Sequence, residues 1–384
     1  KPGTAPGRRP SNPPTTTIPA PTNCNATFST TCRNRVRRAS YTVDQFFGYY
    51  DQVHAHTYYP RYLIENSRVV SLSGNEGGSV GTTYSHYVIL DAAKRFIRKH
   101  RERPFFCYLP VTPPHGLFDL PDDDPAWKIY KDEPWPNAAK RYAAMVTMLD
   151  RQVGEILDLL GELGLREKTL VIFCGDNGGD DYFRSKKFPR GFHGPNVDPK
   201  SDLSFRGRKR SLYEGGLRIP MLARWPGTIT PGAVSDHLWY FPDVFPTLAE
   251  LAGAKAPKGL DGLSIVPTLI GERLAGRKQM EHDYLYWEFR GQTAVRSGRW
   301  KAIQAKANKP WELYDVEADP GETRDLSDRE SGPLSRLKAL AKAAHTPVRE
   351  GTFHRTDLHE NDRRAKRGAP PLSSATPSKV RQNP

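Results

Sequence analysis

The sequence predicts an α/β protein: a largely parallel sheet covered by helices, followed by a small antiparallel sheet with one helix. Two observations predict the first part. Helix-patterned segments occur twice, and each leads into a short apolar run of the kind that forms a buried strand. A third observation predicts the second part, because short strand-like runs follow one another near the end of the chain. The length of 384 residues allows one large domain with a smaller one appended.

Two segments have the spacing of amphipathic helices. From Ser85 to His100 apolar residues recur on one side, and from Tyr142 to Leu163 they recur every three or four positions. The first helix precedes the apolar run Pro104 to Pro110, and the second precedes Thr169 to Cys174. This alternation of helix and strand predicts the parallel sheet.

The end of the chain has a different pattern. After a domain predicted to span residues 41–262, residues 263–350 are predicted to form a C-terminal subdomain. Its strand-like runs are Tyr284–Phe289, Thr293–Arg296, Trp300–Gln304 and Glu312–Val316, followed by a helix near Leu334–Ala344. Gly, Lys and Asn separate the runs, so we expect an antiparallel sheet with one helix.

The two termini are strongly basic. Residues 1–40 hold seven prolines and seven Lys or Arg but no Asp or Glu, and are predicted to be disordered. Residues 351–384 are predicted to be a flexible basic tail. Together they carry most of the net charge of +14 and leave only about +3 for residues 41–350. We therefore expect no nucleic-acid partner, and no apolar run of 18 or more residues indicates a membrane span.

Polar residues of different chemistry follow the predicted strands. His115 follows the first strand, and the glycine-flanked Asp176 and Asn177 follow the second. Asp-Asn-Gly is also a turn signal, but its oxygens suit a hard cation such as Ca²⁺ or Mg²⁺. Lys209 lies in a loop before the apolar run Ile219 to Trp225, where a solvated basic turn is the alternative. An imidazole, an oxygen pair and an ammonium together suit an oxyanion ester bound to a metal.

Seven segments resemble the sulfatases of the arylsulfatase type, within the alkaline-phosphatase-like superfamily, and they occur in the same order along the chain. The segments are Phe46–Pro60, Pro104–His115, Leu170–Gly179, Arg206–Pro220, Trp225–Gly227, Leu260–Ser264 and Trp311–Glu322. The resemblance implies an enzyme that hydrolyses sulfate esters of a small molecule or a polysaccharide. It also implies export to a periplasmic, extracellular or lysosomal-type compartment, although the sequence itself specifies neither the compartment nor the oligomeric state.

The resemblance assigns roles to individual residues. Asp176 and Asn177 correspond to ligands of the family's calcium ion, with Mg²⁺ as the alternative ion. Lys209 corresponds to the lysine that holds the sulfate, and His115 to the histidine at the sulfate and leaving-group oxygen. The substrate-side positions are Gln52, His54, His56, Arg206 and Arg208.

One feature of the family is absent from the sequence. Sulfatases of this type carry a formylglycine made from the first residue of Cys-x-Pro-x-Arg or Ser-x-Pro-x-Arg, and neither motif occurs here. Cys107 and Cys174 lie in predicted strands, where they are expected to be small core residues. The family's paired N-terminal aspartates and its Gly-Lys-Trp segment also lack counterparts. We therefore expect an N-terminally truncated catalytic domain, and little activity from this chain.

The sequence leaves two other functions open. A non-catalytic relative of the sulfatases would bind sulfated glycans through Lys209 and the neighbouring arginines. A phosphoester hydrolase of the same superfamily would carry an unmodified Thr or Ser as its nucleophile, whereas a modifiable Cys would indicate a sulfatase. The nucleophile position distinguishes a phosphoester hydrolase from a sulfatase, and the sequence contains no residue that matches it. Glycan-array binding that is lost in Lys209→Ala would indicate the non-catalytic relative.

Overall fold

The computed structural model describes residues 43–49, 52–78, 80–183, 186 and 196–347. The predicted disordered segment 1–40 and the predicted tail 351–384 lie outside these residues. The helices are Gln52–Ala55 (α1), Ser85–Lys99 (α2), Pro125–Tyr130 (α3), Asn137–Glu162 (α4), Glu214–Leu217 (α5), Val244–Leu251 (α6), Val266–Ile270 (α7), Glu272–Ala275 (α8) and Ser331–Ala344 (α9), with a 3-10 helix at Phe241–Asp243. The strands are Phe47–Gly48 (β1), Tyr62–Glu65 (β2), Arg68–Ser71 (β3), Val171–Cys174 (β4), Met221–Arg224 (β5), Leu285–Phe289 (β6), Gln292–Ser297 (β7), Trp300–Gln304 (β8) and Glu312–Asp315 (β9).

The described strands form three sheets, ordered β1-β2-β3, β4-β5 and β6-β7-β8-β9. The α/β class and the C-terminal antiparallel sheet with its helix agree with the prediction. The parallel pairing expected for the first sheet does not occur among the strands that the structure describes, since every pair is antiparallel. In β4-β5 the chain leaves the sheet at Cys174 and returns at Met221, its register partner, which makes the two strands antiparallel.

Residues 104–110, predicted as a buried strand, form no ladder with any strand that the structure describes. Pro104 and Pro110 bound this segment and have no N–H to donate, which weakens strand pairing at both ends. Tyr108 is 60% exposed, so the segment is only partly buried. Packing against α2 holds it instead, because the rings of Phe105 and Phe96 meet edge to face with centroids 5.9 Å apart.

Helix α4 begins about one turn earlier than predicted. Pro136 precedes its first residue, a favourable place for proline because the first N–H groups of a helix have no intrahelical acceptor. The helix ends in a Schellman motif, in which the Leu165 N–H donates to the Leu160 carbonyl at 2.8 Å and Gly164 has φ +65°. Its buried face joins a core cluster whose buried members include Tyr58, Tyr84, Ala144, Met145 and Met148.

The C-terminal sheet is covered on both faces. One face packs on α9, and the buried residues of this layer are Val295, Ala302, Leu313, Leu337 and Ala341. The other face packs on residues 212–217, and the buried residues of this layer are Leu212, Ala294, Ile303, Tyr314 and Val316. Side chains alternate between the faces of a strand, so neighbours such as Ala302 and Ile303 reach different layers. The sheet thus contacts the segment that follows Lys209, while the domain boundary at residue 262 stays a prediction.

Candidate active site

The loop after β4 and the loop that carries Lys209 lie side by side. The Lys209 backbone N–H donates to the Gly179 carbonyl at 2.8 Å, and the Gly178 N–H donates to the Gly216 carbonyl at 3.0 Å. The Asp-Asn pair predicted as metal ligands comes directly before these glycines. Two of the three predicted strand-end motifs are therefore brought together by backbone hydrogen bonds.

The close approach of these loops requires glycine at position 178. A Cβ on Gly178 would lie 2.0 Å from the Gly215 carbonyl oxygen. A Cβ on Gly215 would in turn lie 2.6 Å from the carbonyl oxygens of Arg206 and Gly207. These obstacles are backbone atoms, which cannot rotate away as the end of a side chain can. The glycine pairs of both motifs therefore allow one loop to pack directly on the other.

Lys209 differs from the three arginines near it, each of which lies within ion-pair distance of a carboxylate. The pairs are Arg206–Glu312, Arg208–Asp181 and Arg210–Asp180. The Lys209 ammonium has no hydrogen-bond or ion-pair partner among the residues that the structure describes, and the residue is partly buried. A partly buried ammonium that lies outside ion-pair distance of every described carboxylate favours the binding of an anion.

Arg206 and Arg208, predicted to bind substrate, have protein partners. The Arg206 guanidinium carbon lies 4.1 Å from the centroid of the Tyr213 ring, and its Nη1 donates to the Tyr314 hydroxyl. Arg208 is ion-paired with Asp181. A substrate would have to replace or share these partners, so substrate contact by either arginine stays a prediction.

His115 and His56 form a pair of packed imidazoles. Their ring centroids lie 4.3 Å apart, with an interplanar angle of 48°. The Nδ1 of His115 lies 2.7 Å from the Gly116 carbonyl oxygen, which can only accept, so Nδ1 carries the proton in this contact. The Tyr58 hydroxyl donates to the His115 carbonyl at 2.8 Å and holds the loop in place. Two of the predicted site residues, His56 and His115, thus contact each other.

The other two predicted residues of this segment have different surroundings. His54 is fully buried, with Nε2 2.9 Å from the Tyr62 carbonyl and its ring against the Tyr62 ring. His54 thus packs in the interior, and its predicted contact with substrate stays a prediction. Gln52 is exposed at the first position of α1. Its substrate contact stays a prediction.

An aromatic cluster connects the His115 loop to the loop after β4. The Phe118 ring centroid lies 5.0 Å from those of both Tyr182 and Phe183, and 5.6 Å from that of Tyr142 in α4. The Phe118 ring also covers Gly116, where a Cβ would come within 3.4 Å of it. Packing of these rings therefore joins the imidazole pair to the junction that contains Lys209.

The described residues supply only part of a metal site. Asn177 Nδ2 donates to Asp176 Oδ1 at 2.8 Å, and Asp176 is exposed. The described part of the chain contains no group of three or more His, Cys, Asp or Glu side chains placed to hold one ion. Ca²⁺ takes six to eight oxygen ligands and Mg²⁺ six. These two residues therefore do not fit either ion without further ligands, and no chemical step is assigned to a metal.

Neither described cysteine has the character of a nucleophile. Burial raises the pKa of the Cys107 thiol. Burial, together with the nearby Asp176 carboxylate, raises the pKa of the Cys174 thiol. A reactive cysteine needs a lowered pKa, because the thiolate is the attacking species. Both side chains are only partly buried, so neither is the fully buried core residue that the sequence predicts.

A buried ion cluster beside the Lys209 loop was not predicted from the sequence. Lys301 Nζ lies 2.8 Å from both Glu214 Oε1 and Glu322 Oε1, and Arg218 Nε lies 2.6 Å from Glu214 Oε2. Burial raises the pKa of Glu214, but the attraction of Lys301 and Arg218 outweighs it and lowers that pKa to about 2. Burial dominates at Glu322 and raises its pKa. The one sequence signal is a lysine inside the largely apolar strand Trp300–Gln304.

Comparisons with known proteins identify the family. The model of the Sulfatase family matches residues 22–254, more than half of the chain. The model of the N-sulphoglucosamine sulphohydrolase C-terminal region matches residues 207–342. The chain therefore belongs to the sulfatase family, within the alkaline-phosphatase-like superfamily.

Individual relatives agree with this assignment. Human arylsulfatase A is 31% identical over 286 residues, which cover 67% of this chain and 50% of that protein. Human N-acetylgalactosamine-6-sulfatase is 32% identical over 262 residues, covering 64% and 45%. The solved structure of Ps i-CgsB in complex with k-i-k-neocarrahexaose is 27% identical, with a TM-score of 0.58, and covers 73% of this chain and 57% of that one. The chain spans about half the length of the curated relatives it matches.

Proposed function

We propose that the protein is a sulfuric ester hydrolase in which Lys209 binds the sulfate group of the substrate. The observation that carries the proposal is the contrast within the segment Arg206 to Arg210. Its arginines lie beside carboxylates, whereas the Lys209 ammonium has no such partner among the described residues. Membership of the sulfatase family supplies the reaction class.

The proposed chemistry places positive charge where negative charge develops. As the S–O bond of a sulfate ester breaks, negative charge accumulates on the bridging oxygen and remains on the sulfate. Lys209 would stabilise the sulfate oxygens, and a proton from Nε2 of a doubly protonated His115, whose Nδ1 proton stays hydrogen-bonded to the Gly116 carbonyl, would neutralise the leaving-group oxygen. The 4.3 Å contact with the His56 ring supports this role, because it restricts the orientation of the His115 imidazole.

The proposed substrate is a sulfated carbohydrate or a sulfated small molecule. The name of human N-acetylgalactosamine-6-sulfatase refers to a sulfated sugar, and the Ps i-CgsB structure is a complex with k-i-k-neocarrahexaose. We also propose that the protein is exported from the cell that makes it, because it resembles the family. The structure describes no helix that is long and apolar enough to cross a membrane.

We further propose that this 384-residue chain alone turns over little or no sulfate ester. The family nucleophile is a formylglycine, and no segment of the sequence matches its Cys-x-Pro-x-Arg or Ser-x-Pro-x-Arg motif. Anion binding by Lys209 does not depend on that nucleophile. Binding and turnover therefore test separate parts of the proposal.

Calorimetric titration of the chain with inorganic sulfate tests the binding role. Lys209→Met should weaken binding by about tenfold or more, because a charge-assisted contact contributes about 1.5–3 kcal/mol. The matched control is Lys200→Met, which removes an exposed lysine whose ion pair is with Asp236. Equal sulfate affinity of the parent and Lys209→Met would refute the assignment. Turnover of an aryl sulfate by the parent chain with Ca²⁺ would refute the prediction of inactivity.

A further inference from the structure

Lys301 connects the C-terminal sheet to the segment that follows Lys209. The lysine lies on β8, and its side chain is fully buried between the carboxylates of Glu214 and Glu322. Glu214 is the first residue of α5. Glu322 also accepts a hydrogen bond from the Glu214 backbone N–H, at 2.7 Å from Oε2. Glu214 is therefore held from the C-terminal side through both its side chain and its backbone.

The charges of this cluster are close to balance. Besides Lys301, Glu214 has Arg218 at 2.6 Å and Arg296 at 4.0 Å from its Oε2. Arg218 also lies 3.8 Å from the Asp198 carboxylate. A buried cation of this kind is tolerated only where it is paired and hydrogen-bonded, and removal of one partner leaves an uncompensated charge. Lys301 is the member shared by both buried glutamates.

The backbone next to Glu214 is coupled to the Lys209 loop. The Gly215 N–H donates to the Arg206 carbonyl at 2.8 Å, in the tight packing that leaves no room for a Cβ on Gly215. The Ser211 hydroxyl donates to the Arg208 carbonyl at 2.8 Å and accepts from the Arg208 N–H at 3.1 Å. The Gly215 contact would therefore transmit a displacement of Glu214 to Arg206, three residues before the lysine.

The other side-chain contacts of this loop are more exposed. The side chains of Arg206 and Arg208 are 42% and 45% exposed, and their ion pairs are therefore screened by water. The cluster around Lys301 is buried, so its electrostatic interactions are stronger. Of the described ion pairs that involve residues 206–214, those of Lys301 are the most deeply buried.

We propose that Lys301 is a positioning residue for Lys209: through Glu214 it fixes the Lys209 loop to the C-terminal sheet. The effect of Lys301 on sulfate binding rests on the proposed function of Lys209. The attachment of the loop to the sheet does not depend on that function. The C-terminal sheet, which contributes none of the predicted catalytic residues, would thereby set the position of the sulfate-binding ammonium.

Brief trypsin digestion of the folded chain tests the attachment, because Arg206, Arg208, Lys209 and Arg210 are all trypsin sites. Mass spectrometry would compare cleavage within residues 206–210 with cleavage at Lys258, an exposed lysine in a separate turn. The variants are Lys301→Met and the double variant Lys301→Met with Glu322→Gln. Lys94→Met is the matched control, since it removes the ion pair between Lys94 and Glu155 on α2 and α4.

We expect Lys301→Met to raise cleavage within residues 206–210 by about tenfold or more relative to Lys258, because proteolysis follows the population of the open form. The double variant should recover part of the protection, since the amide oxygen introduced by Glu322→Gln can still accept from the Glu214 N–H without a second negative charge. If the single variant does not fold, the double variant must still show the selective increase over the parent. Uniform acceleration at all sites, or an equal effect of Lys94→Met, would overturn the proposal.

Titration with inorganic sulfate separates the two proposals. If both hold, Lys301→Met weakens sulfate binding although Lys301 itself is buried away from solvent. If the parent does not bind sulfate but residues 206–210 are still released selectively, the proposed function fails and the positioning role stands. If sulfate affinity is unchanged while the loop is released, Lys301 does not position Lys209.

Discussion

His86 makes the stability of this protein dependent on pH. The imidazole is 2% exposed between α2 and α4, and its Nε2 is hydrogen-bonded to Gln152 Oε1. Burial lowers the pKa of His86 from 6.5 to about 4, although the hydrogen bond to Gln152 partly opposes the shift. The folded state therefore binds this proton less well than the unfolded state. The stabilisation is fully present above pH 6.5 and is lost as the pH falls toward 4.

The size of the effect follows from the two pKa values. A folded value of about 4 against 6.5 gives a loss of about 2 kcal/mol at pH 5 and about 3 kcal/mol at pH 4, relative to neutral pH. Urea unfolding at a series of pH values would measure it. His86→Gln keeps a donor for Gln152 but does not titrate, so its stability should fall less steeply over this range.

The matched control is His345→Gln, because His345 has a 47% exposed side chain near the end of the described chain. This variant should keep the steep dependence of the parent. Parallel stability curves for the parent and His86→Gln between about pH 7 and 4 would refute the reasoning. That result would mean that water or a local opening hydrates the imidazolium in the folded state.

Two further predictions concern backbone packing and a buried carboxylate. Gly178→Ala should lower the free energy of unfolding by about 3 kcal/mol or more, because the new Cβ would lie 2.0 Å from a backbone oxygen. Gly154→Ala, in the middle of α4 where no atom lies within reach of the Cβ, should raise the free energy of unfolding by about 1 kcal/mol. Thermal unfolding measures both changes, and equal melting temperatures of the two variants would contradict the expectation. Asp124→Ala should cost about 3–5 kcal/mol, because this buried carboxylate pairs with Arg151 at 2.8 Å and accepts from the Ala126 N–H at the start of α3. Asp124→Asn keeps the cap acceptor and should lose less in urea unfolding; an equal loss would show that the cap contributes nothing.

The regular elements were predictable where a single periodicity decided them. The helix predicted from Ser85 to His100 ends at Lys99, and the strand Trp300–Gln304 has the predicted bounds. In both cases the local pattern of apolar residues agrees with the burial found in the structure. The relative direction of paired strands was harder to predict from the sequence. The antiparallel pairing of β4 and β5 depends on how the chain returns from residues 175–220, and periodicity contains no information about that path.

In the candidate site too, local features were predictable from the sequence, whereas contacts between distant residues were not. The contact between the glycines after β4 and the Lys209 loop was expected from their positions at strand ends, and hydrogen bonds between them occur. The difference between Lys209 and Arg206 could not be read from a run of similar charges. It depends on Glu312, a carboxylate 106 residues away in the chain. Lys301 was missed for the converse reason, since a lysine in a strand usually faces water.

The packing of Gly178 on Gly215 has a practical consequence for protein engineering. A library aimed at new substrate preference would randomise side chains around the anion site, and many of its members would fail for reasons unrelated to substrate. Positions 178 and 215 admit no Cβ without displacing backbone, so any change there alters the frame that carries the lysine. Holding these two codons constant concentrates the diversity on side chains that can vary, and increases the folded fraction of the library.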